Sequence, residues 1–347
     1  MSDNTGKVKV TVIIPCYNME LKISRMLNSL MTQTSREFKV YVIDDGSKDK
    51  SKAVIEDYVE RFARLGISLN YIHQDNAGVS AAVNNGLKRV DTDFFCLPDA
   101  DDYLEATYME ECIGFLMSHQ DCGIVFTQCN VFHQNQLGKR IGLLQRKDAF
   151  EKPKIDICKD FIWGNGVYYC PNYMIRTKDF KIANGDLQIE AGRYGQNYQI
   201  LLPITFSTRS GYIAKPLYNY IIYNQSISHG KRTIEQRYMS FDGGTKSLHE
   251  TIKKMKLDED IECEFHYQIE QKNAIQKAEV ACEYGDKKLF EEFYGQIDRE
   301  YLSSKLKRIY NRRKWPLLFK FESFKIRSRK MLSGSDLTYK IKSFLSK

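Results

Sequence analysis

Short apolar runs alternate with amphipathic stretches over the first hundred residues of this chain. Residues 8–14 are nearly continuous in β-branched side chains and stop at Pro15, as expected of a parallel strand buried on both faces. The same spacing rules predict strands over about 38–43, 69–72 and 94–97, and helices over about 23–30, 49–65 and 79–88. The repeated strand–helix order predicts a doubly wound α/β sheet whose ligands lie beyond the carboxyl ends of its strands.

The rest of the chain divides into an irregular middle and a helical end. Residues 103–230 are less periodic and rich in Gly, Pro and Asn, whereas helical spacing returns over 233–300. We therefore expect one domain over 1–232, with a nucleotide-binding half at 8–102 and an acceptor half at 103–232. Residues 233–347 are expected to form a helical C-terminal extension.

Composition is that of a globular protein, with 42% hydrophobic and 28% charged residues. The nine cysteines are odd in number and form no C-x-x-C pair, which favours free thiols in a reducing compartment. The first residues lack the apolar segment of a signal peptide, and no run approaches the roughly 18 apolar residues of a membrane span. We expect a cytoplasmic protein.

Positive charge is concentrated at the C-terminus. Residues 301–347 carry fourteen Lys and Arg against two acids, a net +12, while the preceding 300 residues carry a net −4. Bases interleaved with Trp and Phe are typical of segments that lie in a membrane interface. We expect this tail to bind an anionic membrane, so that the protein is peripheral on the inner face of the plasma membrane. The alternative is a basic helix packed on the protein. No nucleic-acid motif accompanies the charge, so nucleic acid is not an expected partner.

An acidic quartet, Asp99-Ala100-Asp101-Asp102, follows the fourth predicted strand. Clustered carboxylates repel one another, and their oxygens are the ligands that Mg²⁺ and Mn²⁺ prefer. The quartet therefore predicts a divalent-cation site. An acidic turn that caps a following helix is the alternative.

Several fragments occur in a fixed order along the chain: VIIPCYN at 12–18, LMTQT at 30–34, VIDDGSKD at 42–49, NAGVS at 76–80, NNG at 84–86, and then the acidic quartet. In order and spacing these fragments resemble the inverting family 2 glycosyltransferases, over about residues 8–230. The resemblance implies the GT-A fold, a Rossmann-like and mostly parallel sheet flanked by helices.

Three of the implied positions bind the nucleotide. The resemblance assigns Pro15, Tyr17 and Asp45 to the base, with the Asp45 carboxylate accepting from a ring N–H. The alternative for Tyr17 is an aromatic residue that covers the core at the strand end. The alternative for Asp45 is a helix-capping acid, although Ser47 or Asp49 is an equally suitable cap for the second helix.

The acidic quartet supplies the next positions. By resemblance Asp99 contacts the ribose or the metal shell, and Asp101 is the metal ligand that bridges the donor diphosphate, with Asp102 beside it. A histidine often completes the metal shell in the closing loop of such enzymes, which assigns His229 here. A neutral imidazole suits Mn²⁺, although a lone histidine is more often an ordinary surface residue.

The general base is harder to assign. The family often carries a Glu-Asp pair where this chain has Gln196-Asn197, and an amide cannot take up a proton at neutral pH. Asn197 is therefore retained only as a hydrogen-bonding group toward the donor. Glu190 is the nearest carboxylate that could replace the base, and Asp186 is the next; a structural acid on a surface turn is the alternative for Glu190.

Together these features predict an enzyme that moves one sugar from a nucleotide sugar, such as a UDP-sugar, to a lipid-linked oligosaccharide or other saccharide acceptor in surface polysaccharide assembly. Many relatives have an Arg where this chain has Val83, so one cationic contact to the phosphates is missing, and Arg193 or Lys231 would have to replace it. A non-catalytic scaffold that binds sugar nucleotides or membranes is a rival. A nucleotidyltransferase is another, although no glycine-rich phosphate loop follows the first strand.

Overall fold

The computed structural model describes residues 8–144, 154–164, 171–185, 188–190, 195–224, 232–314 and 316–333. Contacts divide the chain into two compact units, Met1–Ile221 and Ile222–Lys347.

The first unit is an α/β unit, and its described residues contain nine strands and seven helices. The strands are β1 (Val10–Cys16), β2 (Phe38–Asp44), β3 (Leu69–His73), β4 (Phe94–Cys96), β5 (Tyr103–Leu104), β6 (Cys122–His133), β7 (Gly142–Leu144), β8 (Tyr173–Arg176) and β9 (Arg209–Ile222). The helices are α1 (Ile23–Met31), α2 (Ser51–Ala63), α3 (Val79–Leu87), α4 (Tyr108–Ser118), α5 (Lys154–Trp163), α6 (Thr177–Asn184) and α7 (Gln196–Ser207).

The strands form a single mixed sheet in the order β3-β2-β1-β4-β8-β6-β9-β5, with β7 paired to β6. Pairing is parallel between β1 and β2, β1 and β4, and β2 and β3. It is antiparallel between β4 and β8, β6 and β8, β6 and β7, and β5 and β9. The predicted α/β class is confirmed, but the parallel part is limited to the first hundred residues, so the sheet is mixed and not mostly parallel.

The core lies around β1, whose residues from Val10 to Ile14 are fully buried. The strand runs two residues further than predicted, because Pro15 pairs in register with Ile43 of β2. β1 pairs with β4 only as far as Val12. Pro15 lies beyond this pairing, so its missing N–H costs no hydrogen bond to β4.

The second unit is helical, as predicted. Its described helices are α8 (Ile234–Lys254), α9 (Glu259–Tyr284), α10 (Lys287–Tyr294), α11 (Ser304–Arg312) and α12 (Pro316–Ser333). Thr233 begins α8 with a capping box: its side chain accepts from the Gln236 amide, and the Gln236 side chain accepts from the Thr233 amide.

The described part of the basic tail contributes residues to this helical core. Leu306 and Ile309 of α11 and Phe319 of α12 are buried in one cluster with Phe290 and Cys282. The acid Glu322 is also buried and pairs with Arg312 at 2.5 Å. Residues of α11 and of the first part of α12 are therefore buried in the core of the second unit.

A second face of α12 lies in solvent. Leu317 is 82% exposed, Phe324 is 68% exposed and Leu318 is 42% exposed. Lys314 and Lys320 beside them are exposed as well. None of the helices in the described ranges combines the length and apolar character needed to cross a bilayer.

Candidate active site at the carboxyl edge of the sheet

The loops that follow β1 and β2 are hydrogen-bonded to each other at the carboxyl edge of the parallel strands. The Asn18 amide donates to the Ser47 hydroxyl at 2.9 Å, and the Lys48 amide donates to the Asn18 side chain at 2.8 Å. Asn18 itself has a positive φ of 53°, a conformation that asparagine tolerates better than most residues. These reciprocal bonds fix the turn that follows Tyr17.

A second reciprocal set lies further along the same two loops. The Glu20 amide donates to the Asp49 carboxylate at 3.0 Å, and the Lys50 amide donates to the Glu20 carboxylate at 2.8 Å. The Met19 amide donates to the Ser51 hydroxyl at 2.7 Å. We call residues 17–22 and 45–51 the paired loops.

The Asp49 carboxylate accepts hydrogen bonds from both paired loops. It accepts from the Ser51 amide at 2.9 Å, although the N-cap position of α2 is Lys50, which makes no side-chain cap bond. Burial opposes the charged form, but hydrogen bonds from Ser51 and Glu20 hold the pKa of Asp49 below its usual value.

Tyr17 lies on the outer surface of the paired loops, with 45% of its side chain exposed. The alternative that it covers the core is therefore wrong. Pro15, at the end of β1, is half-buried. An exposed aromatic ring on a fixed loop is available to stack against a planar group.

Asp45 is buried and holds the loop between β3 and α3. Its carboxylate accepts from the Gln74 side chain at 2.8 Å, from the Ala77 amide at 2.9 Å and from the Gly78 amide at 2.8 Å. Gly78 is the N-cap residue of α3, so Asp45 fixes the start of that helix from the loop that follows β2. A contact from Asp45 to a nucleobase stays a prediction, and it would add to this organising contact.

The acidic quartet forms a turn between β4 and β5, not a helix cap. Asp102 is buried against β9: its carboxylate accepts from the Ile221 amide at 2.9 Å and from the Tyr218 hydroxyl at 2.8 Å. Tyr218 also accepts from the Asp99 amide at 3.2 Å. Burial, together with the charges of Asp99 and Asp101, raises the pKa of Asp102 well above its usual value.

The other two acids of the turn lie on its outer side. Asp99 is exposed on the surface of the turn. The Asp101 carboxylate lies 3.4 Å from the Lys22 ammonium, and 23% of its side chain is exposed. This ion pair connects the acidic turn to the paired loops, and it places both at one edge of the sheet.

Two of the three carboxylates of the acidic turn are placed to bind a hard divalent cation. Asp99 and Asp101 offer oxygens at the surface of the turn, whereas both oxygens of Asp102 already accept hydrogen bonds from β9. Within the described ranges, no three His, Cys, Asp or Glu side chains are grouped so as to hold a metal ion. His229 lies outside those ranges, as do Arg193 and Lys231.

Glu190 is held between two helices. The Asn84 side chain of α3 donates to the Ile189 carbonyl at 2.5 Å and accepts from the Ile189 amide at 2.7 Å. The Gln199 side chain of α7 does the same to the next residue, accepting from the Glu190 amide at 2.5 Å and donating to the Glu190 carbonyl at 3.3 Å. Two consecutive backbone units are thus fixed, and the Glu190 side chain remains half-buried. Asp186 lies outside the described residues.

Asn197 lies in the first turn of α7, two residues before Gln199, and is half-buried. Val83 is 3% exposed, so its side chain belongs to the core of α3. The sequence did not predict several of these contacts. They are the bonds from the Asn84 and Gln199 side chains to the backbone, the bonds of the Tyr218 hydroxyl, and the Lys22 ion pair. Each joins residues that are distant in sequence or contacts backbone atoms, and neither kind of contact has a local pattern.

Comparison with known proteins agrees with this geometry. Residues 11–180 match the model of the family described as Glycosyl transferase family 2. This part of the chain therefore belongs to that family, and the resemblance drawn from the ordered fragments is confirmed.

Curated relatives match over limited lengths. The chain is 36% identical over 112 residues to glycosyltransferase GlyA of Streptococcus pneumoniae, which is 32% of this chain and 16% of GlyA. It is 35% identical over 101 residues to the uncharacterized glycosyltransferase EpsJ of Bacillus subtilis, covering 29% and 28% of the two chains. A longer match, 26% identical over 247 residues, joins 70% of this chain to 67% of the putative glycosyltransferase EpsH of Bacillus subtilis.

Solved structures confirm the fold. TarS 1-349 of S. aureus, in complex with UDP-GlcNAc, aligns over 92% of both chains with a TM-score of 0.61 at 17% identity. Mannosyltransferase PcManGT of Pyrobaculum calidifontis, in complex with GDP-Man and Mn2+, aligns over 92% of this chain and 88% of its own with a TM-score of 0.53 at 13% identity. The predicted GT-A fold is therefore confirmed.

Proposed function

We propose that this chain is an inverting glycosyltransferase that moves one sugar from a nucleotide sugar, such as a UDP-sugar, to a hydroxyl of a lipid-linked oligosaccharide or other saccharide acceptor. The process it serves is the assembly of a surface polysaccharide at the cytoplasmic face of the membrane. The family of residues 11–180 supports the reaction class, and the names of the related proteins support the donor class.

One observation carries the proposal: the Lys22–Asp101 ion pair places the acidic turn beside the paired loops. A nucleotide sugar has a planar base, a dianionic diphosphate and a sugar in sequence. The paired loops present an exposed Tyr17 for the base, and the acidic turn presents carboxylates for a cation that binds the diphosphate. The geometry therefore matches the order of groups along such a donor.

Asp101 is the proposed principal ligand of a divalent cation, Mn²⁺ or Mg²⁺, with Asp99 beside it on the surface of the turn. When bound, such an ion neutralises the charge that develops on the leaving diphosphate. His229 is retained as a further ligand. For Asp102 we propose a positioning role: its bonds to Ile221 and Tyr218 hold the turn against β9.

The transfer forms a bond from the acceptor oxygen to the anomeric carbon and breaks the bond from that carbon to the diphosphate oxygen. The acceptor proton passes to a carboxylate, and the nucleoside diphosphate leaves. We assign the base to Glu190, with Asp186 as the second choice. Fixing the backbone at Ile189 and Glu190 supports the assignment, because a general base must be held within hydrogen-bond reach of the proton.

For the membrane, we propose that the exposed face of α12 contacts anionic lipid. Leu317 and Phe324 are seven residues apart, which places them on one side of the helix with Lys320 between them in sequence. Apolar side chains next to Lys suit an interface that is apolar below and negatively charged above.

The direct test is donor use by the purified chain. Wild-type protein is mixed with a panel of nucleotide sugars and Mn²⁺, and thermal shift and donor hydrolysis are measured. We expect one donor to raise the melting temperature and to be hydrolysed slowly. Asp101→Asn should abolish both metal-dependent responses, because it removes an anionic ligand from a small cluster.

Asp91→Asn is the matched control. Asp91 is exposed and pairs with Lys39 at the start of β4, away from the acidic turn at the other end of that strand. Normal turnover in Asp101→Asn would contradict the metal assignment. Binding without hydrolysis or transfer for every donor and acceptor would instead favour the non-catalytic scaffold.

A further inference from the structure

Lys22 is the last residue before α1, at the end of the first of the paired loops. Its ammonium nitrogen lies 3.4 Å from the Asp101 carboxylate, and 30% of its side chain is exposed. The pair is thus partly shielded from water, which strengthens the interaction compared with a surface ion pair.

The surroundings of Lys22 are acidic. Asp99, Asp101 and Asp102 bring three carboxylates into four residues. In α3, the helix whose start borders the paired loops through Asp45, residues 79–87 contain no Lys or Arg, and Val83 is buried. Within the described part of the chain, Lys22 forms an ion pair with Asp101 of the acidic turn.

We propose that Lys22 binds the diphosphate of the nucleotide donor; the inference rests on the proposed function. The lysine ammonium has three donors on a flexible stem, so it can keep its contact with Asp101 and also donate to a phosphate oxygen. A diphosphate bound at the acidic turn would lie next to both groups. Lys22 thereby replaces the cationic contact that Val83 does not provide.

This assignment makes a specific statement about recognition. Lys22 contacts the phosphates and neither the base nor the sugar. Its replacement should therefore weaken the binding of nucleoside diphosphates and leave the binding of nucleosides unchanged. It also opposes the binding of a cation at Asp101 when no nucleotide is present, because the two positive charges share one carboxylate.

The test is calorimetric titration of the full chain with UDP, GDP and uridine at saturating Mg²⁺, and separately with Mn²⁺ alone. In Lys22→Met we expect the affinity for the bound diphosphate to fall tenfold or more, a size typical of a lost hydrogen bond to a charged group. Uridine binding should not change, and Mn²⁺ alone should bind at least as tightly as to wild type. Lys22→Arg should keep most of the diphosphate affinity.

Lys88→Met is the matched control, because Lys88 is an exposed lysine that follows the last residue of α3, away from the carboxyl edge of the sheet, and should not alter UDP binding. Equal UDP affinity in Lys22→Met and wild type would overturn the inference while leaving the proposed function intact. Weakened binding of both Mn²⁺ and UDP would also overturn it, since Lys22 would then only hold Asp101 in place. If wild type binds no nucleoside diphosphate at all, the proposed function fails and the inference with it.

Discussion

At the scale of single residues, Glu190 shows how a side chain can be positioned by its own backbone. Asn84 and Gln199 each pair with both the amide and the carbonyl of one residue, so Ile189 and Glu190 are held from two sides. The Glu190 side chain is not needed for this anchoring. The anchoring bonds use only backbone atoms of these two residues, and a fixed backbone is the arrangement expected for a base.

Glu190→Gln should lower the maximal rate of sugar transfer by about 10²–10⁴, the usual size of a lost general base, and leave donor affinity unchanged. Steady-state kinetics with varied donor and acceptor separates the two effects. Asn197→Ala is the comparison and should cost less in rate, because an amide cannot serve as base. A fully active Glu190→Gln protein would move the role to Asp186.

Asp49 links the paired loops through its charge, which makes their stability depend on pH. Its pKa is below the usual value in the folded chain, so its contribution is present above the unfolded pKa, near 3.8, and is lost as pH falls through the folded value. We expect the difference in free energy of unfolding between wild type and Asp49→Asn to shrink as pH drops from 6 to 3. Urea denaturation across this range measures it. A difference that grows on acidification would contradict the assignment.

At the scale of helices and strands, the parallel half of the sheet could be predicted because its signals are local. Apolar runs such as 38–43 and helical spacing such as that of Ile23 to Leu30 lie within a few residues of each other. The antiparallel half could not be predicted in the same way. Tyr103 pairs with Asn219 and Asp102 bonds to Ile221, and partners more than a hundred residues apart share no local pattern.

The residues of the candidate site also divide into those with a local sequence signal and those without one. The acidic turn and the ends of β1 and β2 carry residue types whose order is visible in the sequence, so Tyr17, Asp45 and Asp101 could be proposed from it. The different contacts of Asp101 and Asp102 were not visible in the sequence. They depend on β9, which bonds to Asp102, and on Lys22, which pairs with Asp101.

Close packing between α3 and β1 gives a prediction at this scale. A Cβ added at Gly86 would lie 2.2 Å from the Ile13 Cγ2 atom, so the helix or the buried strand must shift. Gly86→Ala should therefore lower the free energy of unfolding by about 1–3 kcal/mol, the range for overpacked cores. Urea denaturation provides the measurement. Gly114→Ala in α4 is the control: nothing lies within 4 Å of its added Cβ, and alanine favours the helix, so it should be neutral or stabilising.

At the scale of the whole molecule, the structural role of the tail can be separated from its proposed membrane role. The sequence predicted a tail that binds a membrane, but Leu306, Ile309 and Phe319 are core residues of the second unit. Arg313 also pairs with Glu291 at 2.9 Å, and Lys305 pairs with Glu279 at 2.7 Å. Deleting residues 304–347 should therefore unfold or aggregate this unit.

Point substitutions test the membrane role without removing the core. Leu317→Asp with Phe324→Asp changes two exposed side chains, so thermal stability should stay at the wild-type value while co-sedimentation with phosphatidylserine vesicles falls. Binding of the wild type should weaken as salt is raised. Met239→Asp, on an exposed position of α8, is the matched control. Equal sedimentation of the double variant and wild type would rule out the exposed face of α12 as a lipid contact.

The hydrogen bonds between the paired loops have a consequence for how a ligand is selected. Loops that are free in solution lose conformational entropy when a ligand orders them, and this loss weakens the binding of every ligand equally. Here the reciprocal contacts of Asn18 and Glu20 with Ser47 to Lys50 order the backbone at folding. The surface around Tyr17 is therefore a rigid template, and under the proposed function nucleotides that differ in their base compete through their fit to it.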